Sequence, residues 1–262
     1  MKIAIVTGAS SGIGREFAER IGNGEKLDEI WVIARRTDRL EELKNTIKTP
    51  VRVISLDLSD ENEVEKYKRA LIDSNPDVHV LVNAAGYGRI GVAETIPNSE
   101  QIGMIDLNVR ALTEITLITL LYMNAGAKIY QLASMSSFAP IPYLSVYAAT
   151  KAYVLSFSRS LNVELKQRGI RCMAVAPGWV RTEFIDRAED ENEMVVYYDR
   201  FYTTEQVVKR ALRDMKKGKS VSVCGLATRA KVFGMKCLPH SVIMRIWCKQ
   251  QRKKRKEKKM NK

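Results

Sequence analysis

Tyr147 and Lys151 stand four residues apart in the stretch SVYAATKAYVLSFSRSLNVELKQRG, residues 145–169. The segment has helical spacing, so the two side chains meet on one face. A phenol beside an ammonium can be ordinary surface packing. It can also be acid–base chemistry. A free phenol has a pKa of about 10, too high for an efficient base near neutrality. A neighbouring cation stabilises the phenolate and lowers that value. The pair alone does not separate the two readings.

A second group of residues points to a nucleotide. The strand-like KIAIVT (2–7) runs into TGASSGIGREF, with glycines at Gly8, Gly12 and Gly14. A strand–turn–helix of this kind lets the backbone approach a pyrophosphate, whose charge then rests on the helix N-terminus. Gly8 permits the tight turn, Gly12 leaves room for the ligand, and Gly14 lets helix and strand pack closely. Ser10, Ser11 and Ile13 lie between them and share the position against a bound nucleotide. The second strand-like run ends in ARRTDRL, with Arg35 and Arg36 and no acid before Asp38. An acid there binds the ribose 2′-hydroxyl of NAD, whereas arginine accommodates the 2′-phosphate of NADP. The pair therefore favours NADP(H) over NAD(H).

The elements that must position these groups alternate. Short β-branched runs occur at 2–7, 29–34, 51–56, 78–83, 127–133, 170–176 and 220–224, with helix-like segments between them. That rhythm predicts βαβ units and a mostly parallel sheet covered on both faces. Residues 179–204 break it with a long aromatic-rich segment, of the length that usually carries function. Thr203 and Gln206 form a capping box at its end. Trp179, Phe184, Tyr197, Tyr198, Phe201 and Tyr202, with Phe138 and Tyr143, could wall an apolar pocket or simply pack a lid.

In this order the motifs resemble those of the short-chain dehydrogenase/reductase family, which carries TGxxxGxG here and pairs it with YxxxK. Asp57–Leu58, NAAG at 83–86, Asn108, Ser134 thirteen residues before Tyr147, and PGWVRT at 177–182 follow in family order. The resemblance covers roughly residues 2–225. It implies an α/β fold: a Rossmann-like doubly wound parallel sheet of about seven strands with helices on both faces. It implies hydride transfer between a nicotinamide and a carbonyl or secondary alcohol. Tyr147 is then the general acid/base and Lys151 tunes it and holds the nicotinamide ribose. Ser134 donates to the substrate oxygen, and Asn108 holds a water in a proton relay. Asp57 and Leu58, Asn83, Ala84 and Gly86, and Pro177, Gly178, Val180 and Thr182 are the implied cofactor contacts. Ala84 departs from the family, which often has a second Asn there.

Composition narrows the class. Hydrophobic content of 45% and charged content of 28% are ordinary for a globular protein. Cys172, Cys224, Cys237 and Cys248 show no C-x-x-C spacing, so neither a metal site nor a disulfide framework is expected. No signal peptide or spanning segment is expected, and a cytoplasmic location is. The net charge is +13, but residues 229–262 hold thirteen Lys/Arg and one acid. The body is nearly neutral, which argues against nucleic acid as a partner. Residues 1–225 are expected as one domain and 226–248 as an extension that packs on the body or on a membrane. Residues 249–262 are expected as a disordered basic tail, able to hold the protein peripherally on the inner membrane face. The expected partners are a small carbonyl or alcohol substrate, hydrophobic rather than a sugar, and further copies in a homodimer or homotetramer. The competing function is an NADP(H)-binding protein without turnover.

Overall fold

The computed structural model describes residues 1–188, 194–195 and 197–260, with side chains through Arg252. Its strands are β1 (Lys2–Thr7), β2 (Glu29–Ala34), β3 (Val51–Ser55), β4 (Asp77–Asn83), β5 (Lys128–Leu132), β6 (Arg171–Val175), β7 (Trp179–Val180), β8 (Phe201–Tyr202) and β9 (Val221–Ser222). Seven of them form one parallel sheet in the order β3-β2-β1-β4-β5-β6-β9, and β7 and β8 form a separate small pair. The β-branched runs of the sequence therefore mark each strand of the main sheet to within a few residues.

The helices are α1 (Gly12–Gly24), α2 (Thr37–Glu41), α3 (Glu61–Ser74), α4 (Asn98–Ile105), α5 (Leu112–Thr119), α6 (Ser145–Glu164), α7 (Glu183–Ala188), α8 (Thr204–Lys216), α9 (Leu226–Cys237) and α10 (His240–Met260). The period of two in a strand sends alternate side chains to opposite faces. In β1, Ala4 and Val6 join a core with Phe17 and Ile21 of α1 and Val208 of α8. Ile3 and Ile5 join the opposite core with Tyr67 of α3, Ile115 of α5 and Leu161 of α6. In β4 the alternation slips. Ile3 pairs with Val78 and Ala4 with Val80, so His79 is the extra residue of a bulge. Val78 and Leu81 consequently share a face. The strand order reverses between β1 and β4, which opens a crevice at their carboxyl ends.

The first turns of α10 are held on the body. Trp247 Nε1 donates to the Pro142 carbonyl at 3.0 Å, and the Tyr197 amide donates to Gln251 Oε1 at 2.9 Å. The expected disorder from residue 249 is not what the structure has, since α10 continues to Met260. Lys, Arg, Gln and Glu are good helix formers, and no Gly or Pro interrupts 249–260. A helix anchored by its first turns then propagates at little cost. Residues 261–262 of that tail lie outside the described residues.

The last strand of the sheet is tied by one buried acid. Asp214 of α8 is 1% exposed. It accepts from Arg210 Nε at 2.6 Å and Ser222 Oγ at 2.9 Å, and Lys219 Nζ lies 3.1 Å away. Asp214→Ala should lower the unfolding free energy by about 1.5–3 kcal/mol, the scale for hydrogen bonds to a charged group. A urea midpoint unchanged from the parent would remove this cluster from the account of how β9 is held.

Candidate active site

The glycine turn is shaped by close backbone approach. Gly8 has φ +67° and Gly12 φ +58°, the left-handed region that favours glycine. A Cβ on Gly14 would lie 2.2 Å from the Gly8 carbonyl oxygen, and one on Gly8 2.6 Å from the Ala85 nitrogen. So α1 begins directly against the end of β1. Thr7 Oγ1 accepts from the Ala84 and Ala85 amides at 3.2 Å each, which joins the turns after β1 and β4. The free amides of a helix N-terminus then face the crevice.

A cavity of about 950 Å³ opens there. Gly8, Ser10, Ser11, Gly12, Ile13, Gly14, Arg35, Arg36, Asp57 and Leu58 line it, as do Ala84, Gly86, Pro177, Gly178, Val180 and Thr182. Ser134, Tyr147 and Lys151 line the same cavity. Burial works to raise the Asp57 carboxyl. The hydrogen bonds from Ser59 and the charge of Arg35, 3.5 Å away, outweigh it and hold the group below its usual value.

Two expected residues are turned elsewhere. Asn83 is 2% exposed and does not line the cavity. Its Nδ2 donates to Thr116 Oγ1 at 2.9 Å and Gln131 Oε1 at 3.0 Å, so it ties β4 to α5 and β5. An interior amide must find partners, and these lie inside the sheet. Asn108 is fully buried in a π-helical turn, Asp106–Ala111. Its Oδ1 accepts from the Tyr87 amide at 3.1 Å. Its Nδ2 donates to the Tyr87 carbonyl at 2.9 Å and Thr150 Oγ1 at 3.1 Å. The side chain is held on both its oxygen and its nitrogen by protein groups. It fixes the Gly86–Tyr87 backbone and the residue before Lys151.

Ser134 caps a 3-10 turn, Met135–Phe138. Its Oγ accepts from the Ser136 amide at 3.2 Å, while Ser137 Oγ accepts from the Ser134 amide at 3.2 Å. Ser137 is thereby committed to the turn. Ser136 also lines the cavity, and its hydroxyl has no hydrogen-bond partner among the described residues. Gly88 gives Tyr147 and Phe184 room, since a Cβ there would lie 2.8 Å from each ring. The two rings are 5.4 Å apart between centroids.

The electrostatics of the pair differ from the expected tuning. Burial pushes the Tyr147 phenol up to about 12, with Ser134 acting in the lowering direction. Burial also pushes the Lys151 ammonium down to about 8. Lys151 Nζ donates to the Leu132 carbonyl at 2.8 Å and lies 5.8 Å from the Tyr147 ring centroid. Among protein groups alone, desolvation dominates both residues, and the cation does not bring the phenol below its ordinary value.

Sequence reasoning missed much of the cavity wall. Leu238, Ile243, Ile246 and Trp247 line it, although they belong to the extension read as packing or membrane contact. Ile243, Ile246 and Trp247 stand at helical spacing in the sequence, which does not tell what such a face covers. Of the aromatic segment, Trp179, Phe184 and Tyr197 line the cavity. Tyr198 instead packs edge-on against Trp179, and the Tyr202 hydroxyl accepts from Thr228 at 3.1 Å. Glu183 and Arg187 also reach the cavity and carry no sequence signal by themselves.

Residues 2–193 match the model of the short chain dehydrogenase family, and the chain belongs to that family of oxidoreductases. It is 36% identical over 191 residues to sulfoacetaldehyde reductase 2 of Chromohalobacter salexigens, covering 70% of this chain and 74% of that protein. It is 34% identical over 190 residues to a very-long-chain 3-oxoacyl-CoA reductase of Rattus norvegicus, covering 69% of this chain and 60% of that one. Its structure is similar to a short-chain dehydrogenase of Sphingobium yanoikuyae in complex with NADPH. There the TM-score is 0.77 at 27% identity, over 89% of this chain and 92% of the other. The protein is thus a short-chain dehydrogenase/reductase with a nicotinamide cofactor.

The buried ammonium has a cost that can be measured. Its pKa falls from 10.5 to about 8 on folding, worth about 3 kcal/mol. At pH 7 the proton is present in both states, so the folded protein bears that cost. Above 10.5 the amine is neutral in both states and the cost is gone. Lys151→Met should therefore stabilise the cofactor-free protein at pH 7, by up to about 3 kcal/mol. The advantage should shrink as pH rises from 8 toward 10.5. Urea titrations at pH 7 and 9.5 check this, and a variant less stable than the parent at pH 7 would contradict it.

Proposed function

We propose that the protein interconverts a ketone and a secondary alcohol with NADP(H), acting on a hydrophobic substrate. The observation that carries this is one cavity with two differently built ends. One end has the glycine turn, Arg35 and Arg36, and the other has Ser134, Tyr147 and Lys151 beside an apolar wall. The glycine turn, Asp57, Ala84, Gly86 and the 177–182 segment would hold the nucleotide, and the arginines its 2′-phosphate. The bound nicotinamide supplies or accepts the hydride.

Tyr147 gives its proton to the substrate oxygen in reduction. A phenol held up to about 12 by burial is protonated at neutral pH, as the acid must be. Ser134 donates to the same oxygen. Ser136, with its unpartnered hydroxyl, is available to a second polar group on the substrate. Lys151 holds the nicotinamide ribose and adds the cation that the reverse direction needs. Phe184, Trp179, Ile243 and Ile246 favour an apolar substrate, such as a steroid or an acyl chain. The names of the two relatives differ here: one is a reductase of a small sulfonated aldehyde, the other of a long-chain acyl ketone. The apolar wall supports the second kind. Exposed Leu117, Leu121 and Val163 on the α5 and α6 side give a homodimer or homotetramer an apolar face.

NADPH oxidation against steroid ketones, 3-oxoacyl thioesters, sulfoacetaldehyde and sugars tests the reading. Tyr147→Phe should lose roughly a hundredfold or more in turnover and still bind NADPH. Near-normal turnover of that variant would remove Tyr147 from its role. A parent protein that binds NADPH but turns over nothing in the panel would favour binding without catalysis.

A second reading adds a membrane surface. On α9, Leu226, Ala230, Phe233 and Cys237 are all exposed at helical spacing, with Leu226 81% and Phe233 70% exposed. The next helix in the chain, α10, holds the basic run. Each basic residue near an anionic bilayer contributes about 1 kcal/mol, weakened by salt. The full chain should sediment with anionic vesicles at low salt. A chain ended after Arg252, which keeps the Gln251 contact, should sediment far less and turn over a soluble substrate at the parent rate. Equal sedimentation of the two, or none by either, would leave the tail without this role.

A further inference from the structure

Beside the glycine turn, a carboxylate lies against two arginines. Arg36 Nη1 donates to Glu183 Oε2 at 2.8 Å, and Arg39 Nη1 donates to Glu183 Oε1 at 3.1 Å. Arg36 also reaches Ser10 Oγ at 3.3 Å through Nη2. Ser10, Arg36 and Glu183 all line the nucleotide end of the cavity. Glu183 opens α7 and follows Thr182, whose Cγ2 would lie 3.3 Å from a Cβ on Gly12. The acid therefore reaches across the groove from the substrate segment to the end of β2. Two oxygens spanning two guanidiniums present the same charge-assisted pattern that a phosphate edge presents.

We propose that Glu183 is a cofactor-specificity residue: its carboxylate occupies Arg36, one of the two arginines assigned to an adenosine 2′-phosphate, and is braced there by Arg39. The proposal rests on the NADP(H) reading and goes beyond it. NADP(H) has to displace Glu183 to reach Arg36. NAD(H) has a hydroxyl in that position and leaves the ion pairs in place. The side chains of Arg36, Arg39 and Glu183 are 42%, 40% and 48% exposed, so these ion pairs are weak enough to exchange. A phosphate of higher charge replaces the carboxylate, but part of its attraction is spent on the displacement. Glu183 thus narrows the preference for the phosphorylated cofactor. It also makes the 2′-phosphate release the root of α7, which carries Phe184 beside Tyr147.

Calorimetric titration with 2′,5′-ADP and 5′-AMP tests this without any substrate. Glu183→Gln should tighten 2′,5′-ADP by roughly three- to tenfold, as expected for losing exposed ion-pair competition, and leave 5′-AMP unchanged. Asp186 is the control, since it lies on the same short helix and lines the same cavity but is in neither ion pair. Asp186→Asn should leave both ligands unchanged. No gain with Glu183→Gln, or an equal gain with Asp186→Asn, would overturn the assignment. Arg36→Ala separates the two levels. If it fails to weaken 2′,5′-ADP relative to 5′-AMP, the NADP(H) reading falls. If it does weaken it while Glu183→Gln is neutral, only the role of Glu183 falls.

Discussion

Lys151 reaches from α6 to donate to the Leu132 carbonyl at the end of β5, and it does so where water hardly enters, at 3% exposure. Holding an amine there constrains everything around it. The backbone at Gly86 must carry no side chain, because a Cβ would lie 3.3 Å from Nζ and 2.7 Å from Asn108 Oδ1. Asn108 in turn fastens the Tyr87 backbone and Thr150. The phenol one turn before the lysine is buried with it. The fold thus bears a desolvation cost at this point that packing elsewhere must offset, as strained functional sites do.

The cavity divides by chemistry. Its nucleotide end is built from backbone amides, glycines and arginines on the first half of the sheet, where strand order reverses. Its other end is apolar and comes largely from late sequence, the segment after β6 and the helices α9 and α10. Trp247 clamps α10 to Pro142, close in sequence to Tyr147. In the proposed reaction this arrangement brings a hydrophobic carbonyl to the phenol and keeps bulk water from it.

Much of this was legible in the chain. The runs KIAIVT and EIWVIA are strands at their expected bounds, because β-branched residues covered on both faces leave a continuous apolar run. The glycine turn was legible because only glycine fits its positive φ values and its contacts. The side chains of Asn83 and Asn108 were not, since their partners Thr116, Gln131 and Thr150 are distant in sequence and only folding brings them near. Nor was the contact of Glu183 with Arg36 and Arg39, for the same reason. The basic end of α10 was misread because a run of lysine and arginine suits both a solvated coil and a helix. Its anchorage by Trp247 and Gln251 favours the helix.

The central claim is that burial, rather than a partner charge, governs the Lys151 amine before any cofactor binds. Its protonation can be followed directly by the ε-carbon chemical shift in lysine-labelled, cofactor-free protein, with the signal assigned by its loss in Lys151→Met. The account predicts a midpoint near 8. A midpoint at the ordinary 10.5 would contradict it and would mean that the amine is solvated or paired in a way this structure does not contain.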